Sequence, residues 1–521
     1  MKRIIGLLVS ALLVGGVNAL AQGSMDAFKY SQSELHGTAR YASMAGAFGA
    51  LGGDISSMST NPAGLGIYRS SEVVTTISLS TVKAKTNWTG IANEQDKSNL
   101  RFDNIAYIGY YPTGNDEGIK SWNFGIAYNR LKDFNRNYTA RGAGLPYSLS
   151  SYIADIANMQ GYTPGNLGST DNYDPYYSCL PLPVVGYLGG HIAYSSKDQE
   201  FKTAFGDNIG DWAIESSNLK VIEKGAIDKY DFSFATNISD IVFLGATLAV
   251  SDIDYRYTSG YEEDFGQGDN LYLENRFSTE GSGFSVNVGA IARPVDFLRV
   301  GVAYNSPTWY KLKDYSYAYA DSEVDGDFMK EDAGAAVYEY KLKTSDRWIF
   351  SLASIIGTQG LISVDYEINN YSNMRFSDLE GFKNDYESDN RYIKEDFRTA
   401  GTLRIGGELK ITPQFAVRLG GAWADSPVKS AVKNGNIEIA TAGTIPHYTV
   451  DKGTITYSAG LGYRFTPNFY ADIACIYKER KEDVYAFSST FLDNHDVFVE
   501  SIPASMKTNT TRVALTLGYK F

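Results

Sequence analysis

The chain has 521 residues, with 60 acidic against 47 basic side chains and a formal net charge of -13. At 14% aromatic it is too rich in rings to be disordered, it is too acidic overall to present a nucleic-acid groove, and its two cysteines cannot build a disulfide scaffold. Beyond the N-terminus no apolar run approaches the roughly 20 residues of a membrane helix, which leaves a large, Tyr- and Gly-rich, all-β protein.

In chain order, Lys2 and Arg3, the apolar stretch 4–14 and the small-x-small Ala19-Leu20-Ala21 predict a cleaved secretory signal peptide over 1–21. The next residue is Gln22 rather than Cys, so no lipid anchor is expected. Residues 22–70 are dominated by small side chains and do not alternate. From 71 to 521 the chain alternates apolar and polar residues with period two, the pattern of half-buried strands.

Fourteen such segments lie near 71–85, 101–112, 121–138, 227–238, 241–258, 270–294, 297–315, 335–355, 359–372, 392–412, 414–426, 453–466, 468–486 and 509–521. Most exceed the roughly 9–11 residues of a tilted membrane strand and are expected to project beyond the bilayer. Short turns such as Ser239-Asp240 and Thr412-Pro413-Gln414 alternate with long connections over 86–100, 139–226, 259–269, 316–334, 373–391, 427–452 and 487–508. Short turns on one side and long loops on the other are the topology of an outer-membrane barrel, which predicts a 14-stranded antiparallel transmembrane β-barrel. The longest loop, 139–226, is predicted to carry two helices, one around Leu149, Tyr152, Ile153 and Ile156 and one over 212–224, which either cap the loop or form a greasy collecting surface. In the last strand Val513, Leu515, Leu517, Tyr519 and Phe521 share one face.

Residues 22–70 are expected to fold inside the barrel as a plug. Fourteen strands enclose more space than side chains fill, and Gly permits close backbone approach. This segment resembles the N-terminal hatch of the FadL/TodX family of outer-membrane transporters for long-chain fatty acids and other hydrophobic compounds. The resemblance rests on the Gly/Ala-rich 40–54 ending in Asp54, a Ser/Thr run, and the signature Asn61, Pro62, Ala63 and Gly64. It implies passive, hatch-gated uptake of hydrophobic molecules across the outer membrane of a Gram-negative bacterium, no enzymatic activity and no cofactor. It also implies outer-membrane lipid around the wall and barrel-assembly machinery recognising the strand that ends in Phe521.

A fatty acid needs a greasy slot and a cation for its carboxylate. Phe28, Tyr30, Phe48 and Leu51 are candidates for the slot, and each has an ordinary packing role as the alternative. Arg suits a bidentate carboxylate contact, and alternation places Arg256, Arg299, Arg404, Arg418, Arg464 and Arg512 on the inward face; Arg404, Arg418 and Arg464 are the ligand candidates, with Glu408 an expected partner of Arg404. The commoner role of any one of them is an interior salt bridge. No metal-ligand spacing or Ser-His constellation stands out. Three rivals remain: a barrel of the same fold serving as a docking or shuttle component of a type IX secretion system, haem uptake with His36 as an axial ligand, and a water-filled porin, which a plug disfavours. Gly109 and Gly125 are the candidate sites for a defect in the wall.

Overall fold

A computed structural model describes residues 23–206, 214–381, 386–491 and 497–521. The predicted signal peptide and His495 lie outside them. Fourteen antiparallel staves form a closed barrel: β1 (Glu72–Trp88), β2 (Ile91–Pro112), β3 (Ile119–Asp133, resuming as Arg136–Gly142), β4 (Ser216–Ile238), β5 (Val242–Gly266), β6 (Asp269–Val295), β7 (Leu298–Asn305 and Trp309–Val324), β8 (Asp327–Lys343 and Arg347–Ile356), β9 (Gly360–Asn370, resuming as Arg375–Ser377), β10 (Thr399–Lys410), β11 (Phe415–Ala424), β12 (Tyr448–Arg464), β13 (Phe469–Tyr485) and β14 (Ala504–Lys520). The ring closes where β1 pairs with β14, Leu79 opposite Val513, so no sheet edge is left at the seam of the two ends.

Alternation decides which face meets lipid. On β5, Leu244, Leu248 and Val250 are exposed while Thr247, Ala249 and Ser251 are buried toward the lumen. The outward face then switches abruptly to Asp252, Asp254 and Arg256, which marks the edge of the apolar belt. Another 15 residues carry β5 to Gly266, roughly 45–50 Å of strand standing above the belt at the usual rise per residue.

Three connections expected to be long loops are instead tall hairpins. Segments 86–100, 259–269 and 316–334 are strand up to tight turns at Thr89-Gly90, Gln267-Gly268 and Asp325-Gly326. The sequence disguises them because polar side chains on both faces, needed once the strand leaves lipid, erase the alternation. Thr89, Gln267 and Asp325 all have positive φ, the conformation that tight hairpin turns demand. Likewise residues 216–224 belong to strand β4, not to a second helix. Arg256, expected to face the lumen, lies on the outward face beside Asp254.

Among the described residues the ladder between β2 and β3 is incomplete. β2 and β3 pair from Pro112↔Ser121 up to Asn104↔Asn129 and no further. Beyond that point the rest of β2 pairs only with β1, and Arg136–Gly142 pairs only with β4. The interruption falls at Phe134-Asn135, after which β3 runs across the inner face of β1: Thr86 Oγ1 donates to the Thr139 carbonyl (2.6 Å) and Trp88 lies against Gly142. Side chains alone bridge the gap, through Arg101 Nε to Asp133 Oδ2 (2.7 Å) and Gln95 Nε2 to Thr139 Oγ1 (2.5 Å). Neither Gly109 nor Gly125 marks it. Gly109 lies beside Tyr107 and Tyr111, and Gly125 lies against Met58 and Leu65.

Residues 23–68 occupy the lumen as short helices α1 (Ser24–Ser31), α2 (Ala39–Ser43) and α3 (Ser57–Thr60) and a 3-10 turn (Pro62–Ile67). They bond to the inward face all round the wall. Ala39 N donates to Thr516 Oγ1 of β14 (2.7 Å), Ala45 N to Ser458 Oγ of β12 (3.1 Å), Gly49 N to Asp365 Oδ2 of β9 (2.8 Å) and Ser59 Oγ to Asp231 Oδ2 of β4 (2.7 Å). The segment spans the lumen from end to end. Arg69 pairs with Asp240 in a short turn, while Ser24 donates to Asp396 on the loop side.

The loops form a cap with its own core. Helix α4 (Leu149–Met159), where the helical spacing was read, packs Leu149 and Ile153 against Val184 and Val185 of α5 (Pro181–Leu188) and against Phe201. Their apolar faces are buried inside the cap rather than spread on its outer surface. Several carboxyls in the cap titrate high. Burial, with help from Asp155, pushes Glu438 up to about 7, and burial pushes Asp389 and Asp396 of helix α6 (Glu387–Asp396) up to about 6. Groups raised in the folded cap stabilise it below their ordinary values of 3.8–4.5, and that stability is lost as pH rises through 6–7. Hydrogen exchange over 430–447 and 387–396, corrected for intrinsic rate, is therefore expected to be faster at pH 8 than at pH 5. Glu438→Gln should flatten the difference in the first segment, and a pH-independent exchange rate in the parent protein would refute the assignment.

Candidate functional site

The lumen above and beside the N-terminal segment holds two adjoining cavities of about 160 and 150 Å³. They share Phe28, Gln32, Glu34, Lys478 and Arg480, so the stretch from α1 to Glu34 is the partition between them. The first opens toward the unladdered gap, with Arg101, Asp133, Phe134 and Asn135 in its lining.

The first cavity is charged, and almost every charge is matched. Arg136 holds Glu223 (2.7 Å) and Glu482 (2.6 Å), Arg480 holds Asp451 (2.9 Å), Lys29 holds Asp26 (2.8 Å), and Lys478 holds Glu34. Lys132 is the exception. It is 6% exposed, and its ammonium donates to the Lys29 carbonyl (2.6 Å) and to Gln32 Oε1 (2.8 Å). Its hydrogen-bond partners are neutral, and among the described residues it makes no ion pair. A buried charge without a counter-ion is costly, and burial pushes the Lys132 amine well below the usual lysine range; it lies on the cavity surface, where a bound anion would favour its charged form. Sequence reading considered arginines only and passed over it. Its signal, a Lys within the Leu131-Lys132-Asp133 run, is not distinguishable there from a surface lysine.

The residues singled out from sequence fall in different places. Phe28 lines both cavities and packs against Phe397 and Tyr371, ring centroids 5.2 and 5.3 Å away. Tyr30 is buried just behind, with its hydroxyl 2.7 Å from Thr279 Oγ1. Phe48 and Leu51 pack with Tyr41 and Met44 inside the N-terminal segment, away from both cavities. Arg404 lines the second cavity and pairs with Glu367 (2.9 Å), not with the expected Glu408. Glu408 instead accepts from Arg40 (2.9 Å) and Arg418 (2.6 Å), and Arg418 also binds Asp472 (2.6 Å). The register explains the exchange: Arg404 stands opposite Asp365 on β9, whereas Glu408 stands opposite Arg418 on β11. Arg464 is exposed at the short-turn end, in a third opening it shares with this network.

Asn61 is 1% exposed and works as a rivet. Its Nδ2 donates to the Gly49 carbonyl (2.6 Å) and faces the carbonyls of Ala290 (3.3 Å) and Val302 (3.4 Å) in β6 and β7, while Oδ1 accepts from Ala63 N (3.1 Å). Pro62 and Ala63 lie flat on Gly245 of β5, and Gly64 lies against Ser57 and Gly52. His36 is engaged on both ring nitrogens, by Glu34 on one side and by Arg512 and Asp103 on the other. That leaves no free nitrogen for haem iron.

Residues 246–521 match the sequence profile of the family described as outer membrane protein transport protein (OMPP1/FadL/TodX). The chain belongs to this family. It is thus a FadL/TodX-type outer-membrane channel for hydrophobic compounds, in the Gram-negative envelope. Among solved structures it is similar to a FadL homologue from Pseudomonas aeruginosa, with 14% identity, 94% of this chain and 99% of that one covered, and a TM-score of 0.54. It is also similar to a deltaS2 mutant of the TodX monoaromatic hydrocarbon channel, with 12% identity, 94% and 100% covered, and a TM-score of 0.51. At such identities the likeness concerns the fold. No curated protein matches the chain by sequence.

Proposed function

We propose that this FadL/TodX-type barrel takes up amphipathic hydrophobic molecules with an acidic head, long-chain fatty acids among them. In this reading residues 22–70 are the hatch that gates passage, and 71–521 are the wall. The observation that carries the acidic head is Lys132, a buried ammonium on a cavity wall among otherwise matched charges. Phe28, Phe134 and Tyr138 supply apolar surface beside it. A cavity of about 160 Å³ is close to the roughly 150 Å³ that accommodates benzene. It therefore takes a head and a short stretch of tail, and a full acyl chain requires α1 to move so that the two cavities join. The gap between β2 and β3, bridged only by side chains, is the sideways exit toward lipid. The strand ending in Phe521, whose backbone pairs with Ser71, is the segment offered to the assembly machinery.

The test is calorimetry in mild detergent with a fatty acid and the alcohol of equal chain length. Lys132→Met is expected to weaken the acid by roughly 10- to 100-fold, the worth of a charge-assisted hydrogen bond, and to leave the alcohol unchanged. Equal loss of both, or of neither, would reject Lys132 as the head-group contact.

A further inference from the structure

The outward face of the wall carries a second charged site, unrelated to the lumen. Successive rows of residues can be followed across the strands by their register. The last apolar row runs Tyr230, Val250, Phe284, Trp309 across β4 to β7, and on β8 and β9 it continues as Lys343 and Arg375. The next row outward runs Asp228, Asp252, Ser282, Lys311, Lys341, Ser377. Lys311 thus stands directly opposite Lys341, and Lys343 directly opposite Arg375. Like charges facing each other across a ladder are destabilising, and here two such pairs adjoin.

Nothing among the described residues neutralises them. None of the four takes part in an ion pair; Lys341 donates to the Leu379 carbonyl, and Arg375 to the carbonyls of Ser372 and Met374. Asp378, the next acid along the chain, turns its carboxylate to the Gly381 amide. The contrast lies one row further out, where Lys313 stands between Glu280 and Glu339. On β4 and β5, Asp228 is held by Arg130 (2.7 Å). Lys311, Lys341 and Lys343 border a surface groove whose floor is Trp309 and Phe284, rings 5.2 Å apart, with Val250 beside them, and Arg375 stands next to it opposite Lys343. These three are exposed apolar side chains at the loop-side edge of the belt.

We infer that this groove binds a phosphate-bearing lipid of the outward leaflet. Its phosphate sits among Lys311, Lys341, Lys343 and Arg375, and its acyl chain lies on Trp309 and Phe284. The height on the wall selects the occupant: the apolar floor is continuous with the lipid-facing belt, and the cations begin where acyl chains end and head groups start. Charge complementarity selects the head group, because basic residues at a membrane surface add attraction for anionic lipid residue by residue.

Native mass spectrometry of the barrel in neutral detergent, with diphosphoryl lipid A added, tests this. Phosphatidylcholine and inorganic phosphate serve as separate controls. The parent protein should retain one lipid A, and Lys311→Gln/Lys341→Gln should weaken retention roughly 10- to 30-fold. Lys313→Gln, whose lysine is already paired with Glu339 (3.6 Å), should leave it unchanged. Lys343→Gln provides an independent variant, and heat-modifiable migration in gels checks that each barrel is folded. Undiminished retention in the folded double variant, equal retention of the zwitterionic lipid, or full competition by millimolar inorganic phosphate would each overturn the inference.

Discussion

Adding one methyl group at Gly245 is expected to dislodge the N-terminal segment. A Cβ there would stand 2.4 Å from the carbonyl carbon and oxygen of Pro62 and 2.5 Å from Ala63 N, all backbone atoms that cannot rotate away. At Gly289 the same methyl would meet Asn61 Oδ1 at 2.0 Å, and the side chain that ties Gly49, Ala290 and Val302 together would lose its place. Overpacking of this kind costs about 1–3 kcal/mol or more, and here it falls on the contact that holds the segment to β5, β6 and β7. Gly245→Ala and Gly289→Ala should therefore raise single-channel conductance in planar bilayers severalfold and expose residues 23–68 to protease. Gly407→Ala is the matched control, because its nearest neighbour would lie at 3.6 Å. Conductance equal to the control would mean that the segment is not held by this contact.

The second large effect is expected at Glu408. Its carboxylate is shared by Arg40 from the N-terminal segment and Arg418 from β11. Glu408→Gln leaves two guanidiniums facing each other with one fewer counter-charge. Arg40→Met removes only one partner, and the Glu408–Arg418–Asp472 chain survives it. Breaking a buried ion pair from one side costs about 3–5 kcal/mol, so the urea midpoint in detergent should fall much further for Glu408→Gln than for Arg40→Met. Arg40→Met should act mainly on gating, seen as more frequent opening in the bilayer. If the two variants are equally destabilised, or Arg40→Met is the worse, Glu408 is not the hub.

The barrel was legible because lipid imposes a strict rule. Each outward residue between Leu244 and Val250 must be apolar or small, and each inward neighbour is free to be Ser or Thr. Where lipid ends the rule ends. The tall hairpins around Thr89-Gly90, Gln267-Gly268 and Asp325-Gly326 read as loops although their ladders continue to the turns, with one register shift each in the second and third. The interruption of β3 at Phe134-Asn135 is equally silent in sequence, since it depends on what β1 and β4 offer the displaced chain. At Asn61–Gly64 the sequence shows a turn followed by small residues, whereas the bonds of Asn61 to Gly49, Ala290 and Val302 depend on the fold. The charged lumen was read less well. Period two gives the face of an arginine but not its register, which pairs Arg404 with Glu367 rather than Glu408, and Lys132 carries no sequence signal because α1, which covers it, is distant in the chain.

The course of the N-terminal segment also constrains how the molecule is made. Ala39 N meets Thr516 Oγ1 across 477 positions of chain, and Arg512 of the same final strand reaches Leu35 and His36. The contacts that residues 35–39 make with β14 thus form only when the last strand arrives. Joining β1 to β14 completes the wall and locks its contents in one event, because a segment that runs from the turn side at Arg69 to the loop side at Ser24 cannot easily be threaded through a finished cylinder. Assembly intermediates lacking β14 would therefore be open along one side and would also lack the bonds that hold residues 35–39 to that strand.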